Sequence, residues 1–413
     1  MLDLQVQSLL LKEQIRQQET LCMLASENMQ SQECLGVQSS AFANKTLEGS
    51  PGKRYHAGGE NADTLELLAI QRLCDLYGFA YANVQPHSGS QANHIVYRSL
   101  LLPGDRVLAM DLDAGGHLSH GAPVNMTADL YNFQHYGISP ETDQIDYDAL
   151  ELQARAFKPK LIICGGSSYP RAIRFERVAA IARSVGALMM IDMAHFSGQV
   201  AAGLYPHAIN VADVVTSTFY KSLRGPRGAF IMAADAAIGR KIDRAVFPGY
   251  QGTPAFNVIA AKAVNLHEAR MPTFRQYVQT GLDLAQKLNG MLHESGLTTV
   301  SGGTDTSMVL VDLRDEAFHG KCAADTLEEI GIIANHNLTP FDRRSPMEGS
   351  GLRLSTNVMA TRHLQGSADQ IFHLIVDVLL ALRTDELPSD LTEYKERLSK
   401  ALIGTLDIEA KVA

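Results

Sequence analysis

The sequence predicts an α/β fold built on a mostly parallel sheet, followed by a smaller α+β domain. Three observations carry this expectation. Short β-rich apolar runs recur through the first two-thirds of the chain: Arg106-Val-Leu-Ala-Met110, Lys160-Leu-Ile-Ile-Cys164, Leu188 to Ile191, Val214-Val215 and Ala229-Phe-Ile-Met232. Helical patterns such as Phe175 to Val185 fall between them, and strand–helix alternation implies parallel strands joined by crossovers. Beyond residue 280 the rhythm changes to helices with short strands such as Ser307-Met-Val-Leu-Val-Asp312.

Taken in order, residues 1–40 read as an N-terminal helical arm, 41–280 as the large domain and 281–413 as the small one. Asp63-Thr-Leu-Glu66 reads as a capping box that opens a helix with Leu65, Leu68, Ala69 and Leu73 on its apolar side, and Gly78 as its stop. After Ser367, the apolar residues Ile371, Leu374, Ile375, Val378, Leu379 and Leu382 form a one-sided helical stripe. The tail from Pro388 is charged and helical in pattern, with no function assigned to it.

With 413 residues and 46% hydrophobic composition, the chain can bury a large core in two domains. Its net charge is 36 − 45 = −9, which argues against a nucleic-acid partner. The five cysteines, Cys22, Cys34, Cys74, Cys164 and Cys322, lack metal-ligand spacing, and an odd number in a long chain suits a reducing compartment. The run from Ile371 to Leu382 is interrupted by His373 and Asp377 and is shorter than the ~20 residues of a membrane span. The first residues, Met1-Leu-Asp-Leu-Gln-Val-Gln, have no signal-peptide pattern, so a cytoplasmic enzyme is expected.

The chemistry centres on Lys221, where a short apolar strand runs into Thr218-Phe-Tyr-Lys-Ser-Leu. A second strand, Ala187-Leu-Met-Met-Ile-Asp192, ends in an acid and continues to His195. A lysine amine that forms a Schiff base, and an aspartate that pairs with a pyridinium nitrogen, are what pyridoxal phosphate requires. In parallel α/β sheets such residues meet outside the carboxyl ends of the strands. His87-Ser-Gly-Ser-Gln-Ala-Asn93 precedes a helical pattern, and small residues there can expose N–H groups to a phosphate. Each feature alone has a plain alternative: a solvated lysine, a loop acid, an ordinary N-cap. It is their occurrence together, in this order, that points to a coenzyme. His117 and His120 are three apart, and His117 could stack on a flat ring, move a proton or simply sit in a tight turn. No acid or cysteine cluster supports metal ligation, and no metal site is expected. Arg353 can bind a carboxylate through a bidentate fork or lie in a surface ion pair.

Together these strings resemble the serine hydroxymethyltransferase family over residues 20–385. The resemblance is carried by Leu24-Ala-Ser-Glu-Asn28, Pro51-Gly-Lys-Arg-Tyr55, Val84-Gln-Pro-His-Ser-Gly-Ser-Gln-Ala-Asn93, Gly115-Gly-His-Leu118, Asp192-Met-Ala-His195, Arg224-Gly-Pro-Arg-Gly228, Phe247-Pro-Gly249, Val300-Ser-Gly-Gly-Thr-Asp305 and Arg353. It implies a fold-type-I pyridoxal-phosphate transferase with a mostly parallel seven-stranded sheet, acting as a tight homodimer with shared active sites. Pairing of two dimers into a tetramer stays open. By the same resemblance, Lys221 is the Schiff-base lysine, Asp192 the pyridinium partner and His117 the ring-stacking residue. Ser88, Gly89 and Ser90 hold the phosphate, Ser167 and His195 lie on the ring-hydroxyl side, and Gly252 and Thr253 belong to the same coenzyme set. Glu48 is similar to the acid/base glutamate, and Ser26 and Arg353 hold the amino acid. Leu112, Gly116 and Leu118 match a folate-contacting stretch, Tyr55 an aromatic that packs on the pterin, and Asn337 a folate-contacting loop. The implied reaction is retro-aldol cleavage of a serine-like β-hydroxy-α-amino acid with hydroxymethyl transfer to tetrahydrofolate as co-substrate.

The chain departs from the family pattern around the substrate. Thr46 and His56 stand where the family has tyrosines, Phe219 replaces a threonine, Tyr220 a histidine, Thr253 a glycine, and Met347 an aromatic. Loss of a ring at 46 leaves space, which suggests an α-substituted substrate such as α-methylserine. The competing readings are a folate-independent threonine aldolase or transaldolase, an aminotransferase, and a coenzyme-scaffold protein that binds without catalysis. The presence of Glu48, Asp192, Lys221 and Arg353 together argues against the last.

Overall fold

Seven short strands build the sheet that positions the site. The computed structural model of the chain describes residues 3–208 and 210–403. These fall into two units: Met29–Val278, and a second made of Met1–Asn28 with Gln279–Ala413. The first 28 residues group with the C-terminal third because Leu21–Cys22 pairs in parallel with Ile332–Ile333. The divisions fall at 28/29 and 278/279, whereas the sequence pattern suggested an arm over 1–40 and a break after 280.

In the larger unit the strands are β1 (Tyr81–Asn83), β2 (Arg106–Met110), β3 (Asn132–Tyr136), β4 (Leu161–Cys164), β5 (Leu188–Asp192), β6 (Val214–Thr218) and β7 (Ala229–Ala233). Their order is β1-β7-β6-β5-β4-β2-β3. Strands β2 to β6 are mutually parallel, and β7 runs antiparallel to both β1 and β6. Central strands such as β4 are buried along their whole length, which is why they read as continuous apolar runs. The strands missing from the sequence reading are the two at the sheet edges. There β1 has only three residues, and β3 alternates exposed and half-buried positions.

Helices α1 (Glu60–Tyr77), α2 (Gly89–Leu100), α3 (Tyr147–Phe157), α4 (Phe175–Val185), α5 (Ala236–Val246) and α6 (Phe256–Glu268) accompany the sheet. One core face joins Ile95 and Val96 of α2 and Ile242 and Val246 of α5 to Val107, Ile163, Met190 and Val214 of the strands. Gly78 ends α1 with a left-handed φ of 73°, its N–H bonded to the Cys74 carbonyl. The Asp63-to-Glu66 string, however, does not open that helix. The helix starts three residues earlier, behind Gly59, and Asp63 and Glu66 turn their carboxylates to Arg54 instead.

The smaller unit holds an antiparallel sheet of β8 (Thr298–Thr299), β9 (Met308–Asp312), β10 (Asn335–Asn337) and β11 (Gly351–Ser355), in the order β8-β9-β11-β10. Helix α7 (Ala368–Thr384) buries Ile371, Leu374, Ile375, Val378 and Leu379 of the expected stripe, leaves Leu382 half-buried, and buries Phe372 and Val376 in addition. The charged tail forms a helix over Thr392–Ile403, and its remainder lies outside the described residues. Among the described residues no helix is long and apolar enough to cross a membrane.

Candidate active site

Because β1, β2, β4, β5 and β6 point the same way, the segments leaving their carboxyl ends gather along one edge of the sheet. Ser88, Gly89 and Ser90 follow β1, His117 follows β2, Ser167 follows β4, Asp192 and His195 close β5, and Lys221 follows β6. All eight line a single cavity, together with Gly166, Ala194, Thr218 and Tyr220. Residues more than 130 apart in sequence therefore share one small space.

Asp192 is the last residue of β5, paired with Thr216 of β6. It is buried, and burial alone would raise its pKa; hydrogen bonds from His120 and Asn93 outweigh that and hold the carboxyl well below the usual carboxylate range. Asn93 Nδ2 lies 2.9 Å from Asp192 Oδ2, and His120 Nε2 lies 3.1 Å from the same oxygen. Asn93 is itself fixed, since Thr216 donates to its Oδ1 at 2.7 Å and its amide also reaches Ser119 Oγ at 2.9 Å. Ser119 in turn lies 2.7 Å from His117 Nδ1, which also accepts the Ser119 backbone N–H at 3.2 Å. This network makes Nδ1 an acceptor and leaves the His117 proton on Nε2. Burial pushes the His117 pKa down to about 4, so its ring is neutral at pH 7.

Lys221 is buried, with Nζ 2.9 Å from His195 Nε2. Tyr220 borders the same cavity, and the Arg227 guanidinium lies 4.6 Å from the centre of its ring. Ser88 caps α2 by accepting the Gln91 N–H at 3.2 Å. The N-cap and phosphate readings of this turn therefore coexist: the first-turn N–H groups of Gly89 and Ser90 have no intrahelical carbonyl to bond. A Cβ on Gly89 would come within 2.8 Å of Thr218 Cγ2, so glycine is required for the turn to pack against β6.

Glu48, Thr46, Tyr55 and His56 lie apart from that cavity's lining, on a two-stranded hairpin of Gly49–Ser50 and Lys53–Arg54. The Glu48 backbone is held at both ends, by His56 Nδ1 at 3.3 Å from its N–H and by the Tyr55 N–H at 3.1 Å from its carbonyl. Its carboxylate faces the Gly252 turn, where a Cβ would approach Glu48 Oε1 to 2.7 Å. Thr253 Oγ1 is buried there without a protein partner. Tyr55 is 76% exposed, its ring 5.3 Å from that of Phe247. Leu112 and Leu118 flank the His117 loop as exposed apolar side chains, while Gly116 is packed beneath, its Cα facing the Met110 and Asp111 carbonyls. In the smaller unit, Arg353 is buried in β11 and its Nε donates to Asn335 Oδ1 at 3.1 Å. Burial lowers its pKa to about 10, which leaves it cationic at neutral pH. Asn335 also donates to Asn337 Oδ1 at 2.7 Å, linking these two expected site residues. Ser26 is half-buried in the same unit.

The sequence reading did not single out Asn93 or His120 as partners of Asp192. The available signal was a polar amide on the helix face shared with Ala92, Val96 and Tyr97, a buried position that demands a partner.

A mostly parallel seven-stranded sheet presenting an ionised aspartate and a buried lysine at adjacent strand ends defines the fold-type-I class of pyridoxal-phosphate-dependent transferases. Within that class, residues 1–376 match the family model for serine hydroxymethyltransferase, and the chain belongs to that family. It is 48% identical over 378 residues to "Serine hydroxymethyltransferase 2" of Rhodopseudomonas palustris, covering 91% of this chain and 87% of that one. It is also 48% identical over 377 residues to the serine hydroxymethyltransferase of a Cyanothece species, with 91% and 88% covered. For the serine hydroxymethyltransferase of Rhodospirillum centenum the values are 48% over 384 residues, 92% and 89%. The chain is thus a pyridoxal-phosphate enzyme of one-carbon metabolism that cleaves serine and transfers the hydroxymethyl group to tetrahydrofolate. The match favours this reaction over the folate-independent aldolase.

Proposed function

We propose that the Lys221 cavity seats the coenzyme and that Lys221, Asp192, His117 and Glu48 carry the family's reaction. The observation that supports this most is the single cavity lined by all eight residues of the main coenzyme set. Three features suit the group. Bare N–H groups at the start of α2 fit a phosphate, and Thr218 Oγ1 is buried in the same wall without a protein partner. The Asp192 carboxylate stays ionised, as a ring N–H requires. His117 is a neutral flat ring, as stacking requires.

The coenzyme, when bound, supplies an aldehyde for an amine and a cationic ring that accepts the electron pair released at the amino-acid Cα. Lys221 would supply the amine that joins the coenzyme aldehyde, and His195 Nε2, 2.9 Å from Nζ, orients it. The Asp192 carboxylate would hold a proton on the ring nitrogen by its opposite charge, and Ser167 and His195 would serve the ring-hydroxyl side. Glu48 takes the proton of the substrate β-hydroxyl, directly or through water. Arg353 offers a planar fork to a carboxylate, with Ser26 beside it in role. Leu112, Leu118 and Tyr55 give the apolar surface a pterin needs, with Gly116 and Asn337 as further folate contacts.

We infer a homodimer with shared sites. Glu48, Thr46, Tyr55, His56, Gly252 and Thr253 form a cluster distinct from the lining of their own chain's cavity, which suits delivery to a partner's cavity. The helix Leu4–Glu19 buries none of its residues and exposes Leu4, Leu9, Leu10 and Leu11, a face that calls for a partner. All five cysteines are free thiols, which supports a reducing, cytoplasmic setting.

The exposed Thr46 in place of a family tyrosine supports acceptance of an α-substituted serine. A panel of serine, α-methylserine and threonine with and without tetrahydrofolate tests these readings. Folate-dependent turnover with α-methylserine kcat/KM at or above that of serine is expected; a burial gain of only ~1 kcal/mol for one methyl is enough to bring the two level. A strong preference for serine removes the α-substituted reading, and rapid aldehyde release without folate removes the transfer reading.

A further inference from the structure

A second lysine lies buried behind the site, unused by the chemistry above. Lys262, on α6, is 2% exposed. Its Nζ donates to three backbone carbonyls: Val84 at 2.5 Å, Pro86 at 3.1 Å and Ala229 at 3.2 Å. An ammonium has three N–H donors, and here each has an acceptor. Burial pulls its pKa down to about 7, while the Glu66 charge and the carbonyl dipoles act in the opposite direction. The Phe219 ring covers the remaining side, 5.3 Å from Nζ.

The three carbonyls belong to two different loops. Val84 and Pro86 lead from β1 into Ser88, Gly89 and Ser90. Ala229 opens β7, and its own N–H bonds the Pro86 carbonyl at 3.0 Å. Phe219 stands two residues before Lys221 and bonds the Gly228 carbonyl at 3.2 Å through its N–H. One turn further along α6, Asn265 Nδ2 donates to the Leu223 carbonyl at 2.9 Å, two residues after Lys221. Space around the ammonium is tight, since a Cβ on Gly228 would meet Lys262 Cε at 2.5 Å.

We propose that Lys262, seconded by Asn265, is a positioning residue that holds the phosphate turn and the Lys221 loop in register for the coenzyme. One buried amine, bonded to carbonyls of both segments, clamps the chain on both sides of the site, so the turn at 88–90 and the amine at 221 are held together. This inference rests on the reading of Ser88, Gly89 and Ser90 as the phosphate holders.

The test compares Lys262→Met, Asn265→Ala and Ser90→Asp with the parent full-length protein, each stripped of and loaded with pyridoxal phosphate. Coenzyme affinity and the melting temperatures of both forms are measured, because a ligand that binds the folded form raises the melting temperature by an amount that grows with the logarithm of its affinity. For Lys262→Met, affinity is expected to fall at least tenfold and the coenzyme-induced rise in melting temperature to shrink. For Asn265→Ala, which removes one bond and keeps the charge, a fall of about threefold is expected. Should Lys262→Met not fold, Asn265→Ala decides alone. Parallel losses of melting temperature in both forms, with affinity unchanged within twofold, would reduce the pair to a structural role and overturn the inference. Unchanged affinity in Ser90→Asp, whose carboxylate would repel a phosphate held at that turn, overturns the phosphate reading instead, so the two failures are distinguishable.

Discussion

Asp192 shows how a single side chain is made fit for its task by others. Its carboxylate is buried, which disfavours charge, yet the amide of Asn93 and the imidazole of His120 converge on one oxygen and keep it ionised. Such a group stabilises the folded protein at pH above its unfolded pKa, and that stability is lost as pH falls through the depressed folded value. Asn93→Ala removes one donor and leaves Thr216 and Ser119 short of a partner as well. The expected outcome is a loss of about 1–3 kcal/mol at pH 7 and acid unfolding that begins at higher pH than in the parent. Urea titrations at a series of pH values check it; an unchanged acid limb would mean that Asn93 does not govern the Asp192 charge.

At the scale of elements, the hairpin that carries Glu48 depends on α1 for its place. Arg54 bonds Asp63 Oδ1 at 2.8 Å, Glu66 Oε2 at 2.5 Å and the Gly49 carbonyl. Gln85, just after β1, joins Glu66 Oε1 at 2.7 Å to the same Gly49 carbonyl at 3.1 Å. Asp63 also accepts the Gly52 N–H at 2.7 Å. The residues that look like a capping box are therefore a clamp on the peptide next to Glu48. Arg54 and Glu66 are both almost fully buried, so Glu66→Ala takes one of the two carboxylates from Arg54 and one acceptor from Gln85, at a cost of about 1–3 kcal/mol. Turnover should fall with it, because Glu48 loses its anchor, and by a larger factor than coenzyme affinity does. A variant that loses coenzyme and turnover together would show that the hairpin and the Lys221 cavity are not separable in this way.

For the whole molecule, the residues proposed for the reaction do not all line one cavity of the larger unit: the Glu48–Gly252 cluster lies apart from the lining of the Lys221 cavity. If a partner's hairpin completes each cavity, mixing inactive Lys221→Ala with inactive Glu48→Ala restores activity. A hybrid dimer then has one site with both residues intact, and random exchange should yield about a quarter of the parent turnover. Activity that stays at the level of the separate variants after exchange would place Glu48 and Lys221 in the same subunit's site.

The sequence by itself determined the parallel strands, the lysine and aspartate at their ends and the family they mark, since apolar periodicity and strand-end residues are local properties of the chain. It misplaced the start of α1 and passed over β1 and β3, because short or half-exposed edge strands lack a continuous apolar run. Only the tertiary structure decided which polar groups meet: Asn93 with Asp192, Arg54 with Glu66, Lys262 with the carbonyls of two loops. Burial forces each of these groups to find a partner, but the choice of partner is made by the packing of segments far apart in the chain, and no local pattern records it.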